Sequence, residues 1–178
     1  MIVYFIRHAS AGERLDNPAK DEKRALDDEG TLQCRYIGRA LALMDVHPDL
    51  ILSSPLKRAV QTASAVANEL GYEGKIVMEG TLRPEAELED FLEALRAHAR
   101  AEVVIVVGHR PSLDEFVSRI IGSPAGSRPS VVMKKGAVAR VDLEKRLRGV
   151  LQWCLTPKIV RALHENLSKS SRPKTSLK

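Results

Sequence analysis

Short apolar runs alternate with longer amphipathic segments along this chain. The runs at residues 2–6, 50–52 and 103–107 are rich in β-branched side chains and predict strands that are buried on both faces. A run at 75–78 predicts a further short strand. Two late runs, at 137–143 and 149–155, flank a charged turn and predict an antiparallel pair at the edge of the sheet.

The segments between these strands carry apolar residues at helical spacing. The first helix is expected to begin at Asp27 or Asp28, which can cap it, and to end near His47-Pro48. Three more helices are predicted, after Ser54-Pro55, around residues 88–95 and over 113–121, whereas the polar residues 10–25 predict a loop that could cover a site. This alternation predicts an α/β fold, a three-layer αβα sandwich with a mostly parallel sheet and a late antiparallel edge hairpin.

Composition and charge predict a single domain followed by a basic C-terminal tail. The 178 residues, 44% of them hydrophobic, suffice for one core, and no run reaches the about 20 residues of a membrane span. Without a secretory pattern, the expected location is the cytoplasm, with no membrane partner. Of the net charge of +5, residues 168–178 supply four units, so a domain at 1–167 and a basic, disordered tail are predicted. Such a tail can bind nucleic acid, but we favour a solvated terminus and expect no nucleic-acid partner.

Candidate chemistry lies where two of the buried strands end. Arg7-His8 follows the first strand, and His109-Arg110 follows Gly108 at the end of the strand over 103–107. Open α/β sheets build their sites at the carboxyl ends of strands, so the two histidines face one pocket if these strands are neighbours. A neutral imidazole there can be a nucleophile, a base or a metal ligand, and a guanidinium can bind an oxyanion. A hydrogen-bonded structural histidine would give the same dipeptide.

A further arginine is predicted in the first turn of a helix. Arg58 follows the Ser54-Pro55 entry, and a cation at that position opposes the helix dipole. Phosphate binding at a helix N-terminus would explain the cation, although an arginine that extends into solvent is the alternative. The five histidines show no metal-binding spacing, and there is no Walker, dinucleotide-binding or serine-hydrolase motif. Neither a metal nor a cofactor is therefore expected.

Several segments, taken in order, resemble the histidine phosphatase superfamily, which has a phosphoglycerate-mutase-like fold, and in particular its small SixA-like phosphohistidine phosphatases. The resemblance extends from Met1 to about Leu163. The matching segments are residues 6–9, 23–30, 50–63, 107–111, 134–137 and 155–158.

The resemblance implies a role for each candidate residue. His8 corresponds to the family's nucleophile, which becomes a transient phosphohistidine, and Arg7, Arg58 and His109 correspond to the phosphate pocket. Such a pocket suits phosphoryl transfer, which needs mainly positioning and charge stabilisation. The family usually has glycine where Ala9 stands.

The resemblance also bears on the general acid. Larger relatives use a glutamate in the loop before the third main helix, and Glu85 and Glu87 occupy that region. Glu85 is the candidate. A phosphohistidine substrate can be protonated on its own ring and needs no such acid, whereas a phosphomonoester does.

The sequence thus predicts a metal-independent phosphatase that acts through His8, with phosphohistidine on a partner protein as its substrate. Short loops and the lack of an inserted cap favour a protein substrate over an enclosed small molecule. A small-molecule phosphomonoesterase of the same superfamily and a non-catalytic phosphate- or phosphoprotein-binding module are the alternatives. Lys134 and Lys135 match the family without an assigned role.

Overall fold

The computed structural model describes residues 1–122, 130–144 and 148–170, with side chains to residue 165. Within these ranges it has six strands: β1 (Ile2–Arg7), β2 (Leu50–Ser53), β3 (Val77–Met78), β4 (Val103–Gly108), β5 (Val138–Leu143) and β6 (Gly149–Leu155). The helices are α1 (Pro18–Glu22), α2 (Asp28–Leu43), α3 (Lys57–Glu69), α4 (Leu88–Ala97), α5 (Ser112–Ile120) and α6 (Pro157–Ser170), with a 3-10 turn at Gly80–Leu82. In the described ranges, no helix combines the length and the apolar character needed to cross a membrane.

The strands form one mixed sheet in the order β3-β2-β4-β1-β5-β6. The first four are parallel, and β5 and β6 run antiparallel at one edge, as predicted. β1 and β4 are neighbours, with Arg7 opposite Gly108 in the register. His8 and His109, each one residue further on, therefore leave the sheet side by side.

Alternate residues of the central strands support the two faces of the sheet. Phe5 of β1 packs with Phe91 of α4 and Phe116 of α5 on one face. Ile6, the next residue, packs with α2 and α3 on the other face, where Ile37 and other apolar side chains are buried. Each such large side chain contributes about 1.5–3 kcal/mol by its burial. The predicted three-layer αβα sandwich is confirmed.

Two helices lie in segments for which no helix bounds were predicted. The polar segment 10–25 contains α1, which begins at Pro18 after Asn17, whose side chain accepts a hydrogen bond from the Lys20 N–H at 3.1 Å. α6 continues to Ser170 and so includes the first three residues of the segment 168–178 for which a basic tail was predicted. Residues 171–178 of that tail, 123–129 of a predicted loop and 145–147 of the hairpin turn lie outside the described residues.

The start of α2 is fixed to the segment that follows β1. Asp27 caps the helix by accepting from the Gly30 N–H at 2.7 Å, and its other oxygen accepts from Ser10 Oγ and the Gly12 N–H, both at 2.8 Å. A Cβ on Gly30 would lie 1.9 Å from the Ser10 carbonyl oxygen. Only glycine therefore allows this close approach, which holds the chain just beyond His8.

Candidate active site

The four strongest predicted site residues line one pocket of about 510 Å³. Arg7 and His8 come from the end of β1, His109 from the end of β4, and Arg58 from the first turn of α3. The ring centroids of His8 and His109 are 4.9 Å apart and the rings are inclined at 50°. The predicted juxtaposition of the two histidines is therefore present.

His8 is buried and its tautomer is set by the backbone. Its Nδ1 lies 2.7 Å from the Ala9 carbonyl oxygen, which can only accept, so Nδ1 carries the proton and Nε2 keeps a lone pair. Burial lowers the pKa of His8 to about 3, and the charges of Arg58 and Arg7 act in the same direction, against the hydrogen bond to Ala9. The imidazole is thus neutral at pH 7, the state in which it is nucleophilic.

His109 is buried more completely than His8. Its Nε2 lies 2.9 Å from Ser54 Oγ, at the end of β2, while its Nδ1 is buried without a partner among the described residues. Burial is the main cause that lowers the pKa of His109 to about 2, and the electrostatic interactions with the neighbouring His8 ring and with the charges of Arg58 and Arg7 act in the same direction. A bound dianion would oppose these effects and favour protonation of His109.

The guanidiniums of Arg7 and Arg58 are each fixed by a hydrogen bond to a backbone carbonyl and keep other N–H groups unpaired. Arg7 Nη1 donates to the Met133 carbonyl oxygen at 2.9 Å, and Arg58 Nη1 donates to the Asp21 carbonyl oxygen at 2.8 Å. The buried Nε atoms of both arginines have no partner within the described part of the chain. An unpaired buried polar group costs about 1–3 kcal/mol, and a bound anion could satisfy the nitrogens that are concentrated here.

Asp21 of α1 was not among the predicted site residues. Its carboxylate lies 3.3 Å from Arg58 Nη1 and 2.8 Å from Arg24 Nε. Partial desolvation opposes its ionisation, but hydrogen bonds from Arg24 and the Leu15 N–H, with the charges of Arg24 and Arg58, hold the pKa of Asp21 at about 2. The predicted loop therefore covers the pocket through α1, and Asp21 orients Arg58. The Asn17-Pro18 pair was the one signal that could have indicated this helix.

Glu85 lies at the rim of the same pocket. Its side chain is 70% exposed, and its carboxylate is 3.9 Å from Arg83 Nη1, which pairs more closely with Glu22 of α1 at 2.8 Å. Glu87 is the residue before α4 and is not among the residues that line the pocket. The structure brings Glu85 to the site without a contact to either histidine among the described residues, so its role as general acid stays a prediction.

Ala9 fits its position without backbone strain. Its N–H donates to Thr62 Oγ1 at 3.1 Å, and Thr62 in turn donates to the Arg58 carbonyl oxygen at 2.7 Å. Among the described residues, Asp45 is the one non-glycine in the left-handed region, so alanine serves here as well as glycine would. The pair of hydrogen bonds ties the segment after His8 to the helix that carries Arg58.

The arrangement can hold a phosphoryl group between two guanidiniums and present a neutral imidazole nitrogen to its phosphorus atom. The described residues contain no cluster of three or more side chains suited to hold a metal ion. Charge stabilisation by preorganised donors is the main requirement of phosphoryl transfer. An arrangement of this kind can therefore serve as a nucleophilic acceptor of a phosphoryl group.

Comparisons with known sequences agree with this geometry. Residues 3–83 match the family model of the histidine phosphatase superfamily (branch 1). An uncharacterized protein of Picosynechococcus is 36% identical over 150 residues, which cover 80% of this chain and 89% of that protein. The mitochondrial serine/threonine-protein phosphatase Pgam5 of Drosophila mojavensis is 28% identical over 152 residues, but this match spans 52% of Pgam5.

Solved structures show the same fold. The protein histidine phosphatase SixA in complex with tungstate superposes with a TM-score of 0.79 over 90% of this chain and 99% of that one, at 24% identity. A SixA protein of Agrobacterium tumefaciens, named as a phosphohistidine phosphatase, is 27% identical, with a TM-score of 0.70 over 88% of this chain and 98% of that one. The chain belongs to the histidine phosphatase superfamily, with the phosphoglycerate-mutase-like fold of its SixA-like members.

Proposed function

We propose that this protein is a metal-independent phosphatase that removes phosphate from phosphohistidine on a partner protein, through a covalent intermediate on His8. The observation that carries the proposal is the hydrogen bond from His8 Nδ1 to the Ala9 carbonyl oxygen at 2.7 Å. It leaves the Nε2 lone pair of a neutral imidazole in a pocket lined by Arg7 and Arg58. This is how a nucleophilic histidine is held in its reactive tautomer.

The reaction proceeds in two displacements at phosphorus. In the first, Nε2 of His8 attacks the phosphorus atom, the bond from phosphorus to the substrate nitrogen breaks, and the substrate imidazole leaves with the proton on its other nitrogen. In the second, water attacks the phosphorus atom of phospho-His8, the bond from phosphorus to Nε2 breaks, and orthophosphate leaves as H2PO4⁻ with both protons of the water, which restores neutral His8. Arg7, Arg58 and His109 stabilise the charge on the transferred oxygens in both steps.

The choice of a phosphohistidine protein as substrate rests on two observations. First, Glu85 is exposed and paired with Arg83 rather than held against the reacting groups, which suits a substrate whose leaving group carries its own proton. Second, the relatives named above include phosphatases named for protein substrates, both histidine and serine/threonine. A protein substrate is common to both.

Rapid-quench trapping tests the proposal. Wild type and His8→Asn are mixed with a labelled phosphohistidine peptide in excess EDTA. The expected result is an acid-labile, base-stable protein label in the wild type alone, followed by release of orthophosphate. Absence of both label and phosphate release at saturating peptide would overturn the proposal and favour a non-catalytic phosphate-binding module. Label formation that requires a divalent metal would overturn its metal-independent part.

The Glu85→Gln variant separates phosphohistidine from phosphomonoester chemistry. We expect kcat on the phosphohistidine peptide to change by less than about threefold, because no enzyme acid is needed there. The measurement is steady-state phosphate release on this peptide and on a phosphoserine peptide, with Glu87→Gln as the matched control. A loss of about 100-fold or more on the phosphohistidine peptide would show that Glu85 is the acid. Efficient phosphoserine hydrolysis that collapses in Glu85→Gln would identify a phosphomonoesterase.

A further inference from the structure

A second cleft, of about 600 Å³, lies between α2, the turn before β5 and the start of α6. Its charged lining is unbalanced, with four cations against one carboxylate. The charged residues are Glu29, Lys134, Lys135, Lys158 and Arg161. The cleft includes Lys134 and Lys135, which match the family without an assigned role.

The cleft and the catalytic pocket share a wall. Gln33, on the cleft side, accepts from the Ser10 N–H at 2.9 Å, and Lys135 Nζ donates to the Gly12 carbonyl oxygen at 3.5 Å. The Gly136 N–H, next to Lys135, donates to the carbonyl oxygens of Arg7 and His8 at 3.1 and 3.2 Å. The chain from Arg7 to Gly12 therefore contacts residues that line both spaces, which places the cleft beside the catalytic pocket.

Two of the cations form no ion pair with any described residue. Lys134 and Lys158 are exposed, and within the described ranges no carboxylate lies within 4.0 Å of either, whereas Arg161 pairs with Glu165 at 2.8 Å. Lysines placed together in this way repel one another and attract anions, which raises the rate at which an acidic partner is captured. These cations are exposed on two elements rather than buried about one point, which suits several carboxylates spread along a chain better than one small anion.

We propose that this cleft docks an acidic segment of the phosphorylated partner while the phosphohistidine of that partner occupies the catalytic pocket. The inference rests on the proposed function and adds the class of protein substrate, one with carboxylates flanking its phosphohistidine. Lys134 and Lys158 are the specificity-determining residues. They contact the partner and not the transferred phosphoryl group.

Two synthetic peptides test the inference. Both carry one phosphohistidine, and the acidic peptide has four glutamates on each side where the neutral peptide has glutamines. The variant is Lys134→Glu/Lys158→Glu. The matched control, Lys75→Glu/Arg96→Glu, reverses two exposed cations near the opposite, amino-terminal ends of the strands. We expect wild type and control to prefer the acidic peptide by about tenfold in kcat/KM at low salt, through KM. The preference should be lost in the variant and weakened by salt.

The neutral peptide separates the inference from the function on which it rests. Equal turnover of the neutral peptide by wild type and variant is expected, because the catalytic pocket is untouched. No turnover of either peptide by the wild type would overturn the proposed function. A wild type that is active but hydrolyses both peptides equally, or a variant that keeps the preference, would overturn the docking inference alone. Single-stranded RNA and polyglutamate of equal length are also compared as inhibitors of the wild type. Stronger inhibition by the RNA would assign the cleft to nucleic acid and overturn the docking inference.

Discussion

Substituting His8 by asparagine is expected to lower kcat for phosphohistidine hydrolysis by about 10⁴-fold or more, while orthophosphate still binds. The substitution removes Nε2, the atom that forms the bond to phosphorus, so water must attack the substrate directly in one difficult step. Binding depends on other groups. Arg7 and Arg58 keep their hydrogen bonds to Met133 and to Asp21, neither of which involves the His8 side chain.

Steady-state kinetics and calorimetric titration with orthophosphate separate the two effects. The matched control is His47→Asn, which alters an exposed histidine that does not line the pocket. Activity of His8→Asn within tenfold of the wild type would contradict the assignment of the nucleophile. So would a loss of phosphate affinity as large as the loss of kcat, because this would make His8 a binding group.

Chemical rescue distinguishes a nucleophilic His8 from a structural one, because added imidazole can replace a missing nucleophile but not a missing structural side chain. His8→Gly leaves space for a free imidazole beside the phosphate pocket. Added imidazole is expected to accept the phosphoryl group and restore consumption of the substrate, with N-phosphoimidazole as the product seen by phosphorus NMR. Failure of imidazole to restore turnover, in a variant that still binds orthophosphate, would indicate that position 8 does not carry the nucleophile.

The central strands and their ends were predictable because a strand buried on both faces is a continuous run of apolar residues in the sequence. The apolar runs that became β1 and β4 each end on a histidine, and adjacency of these parallel strands is enough to bring His8 and His109 together. The position of Arg58 was also predictable, because Ser54-Pro55 is a typical helix-entry signal and Arg58 follows it in the first turn. In each case the side chain lies at the end of a strand or the start of a helix, and nearby residues in the sequence fix where that strand ends or that helix begins.

The cover of the pocket was not predictable in the same way. α1 has five residues and none of them is buried, so it leaves no apolar periodicity to detect. It is held by its cap and by tertiary contacts that join residues distant in sequence, such as Asp21 with Arg58 and Glu22 with Arg83. The placement of Glu85 depends on the same contacts. Long-range pairing of this kind has no local signature, and only the folded chain shows it.

Burial of two neutral histidines is expected to make the stability of the protein depend strongly on pH. The free energy of unfolding is expected to fall by about 4 kcal/mol between about pH 7.5 and about pH 5, from His8 and His109 alone. In the unfolded chain both histidines bind a proton below their ordinary pKa of about 6.5. In the fold their pKa values are about 3 and about 2. The unfolded state therefore binds more protons throughout this range, so stability is fully present above pH 6.5 and is lost as the pH falls.

The expected loss does not depend on the depth of the two pKa shifts, because both folded values lie well below pH 5. Urea unfolding at a series of pH values measures the loss, and His47→Asn is again the control. His109→Asn is expected to halve the dependence, and His8→Asn/His109→Asn to remove most of it. Saturating phosphate should weaken it in the wild type, since a bound dianion favours protonated His109 in the fold. A stability that is flat over this range, or equally steep in the double variant, would show that the two histidines are not buried and neutral together.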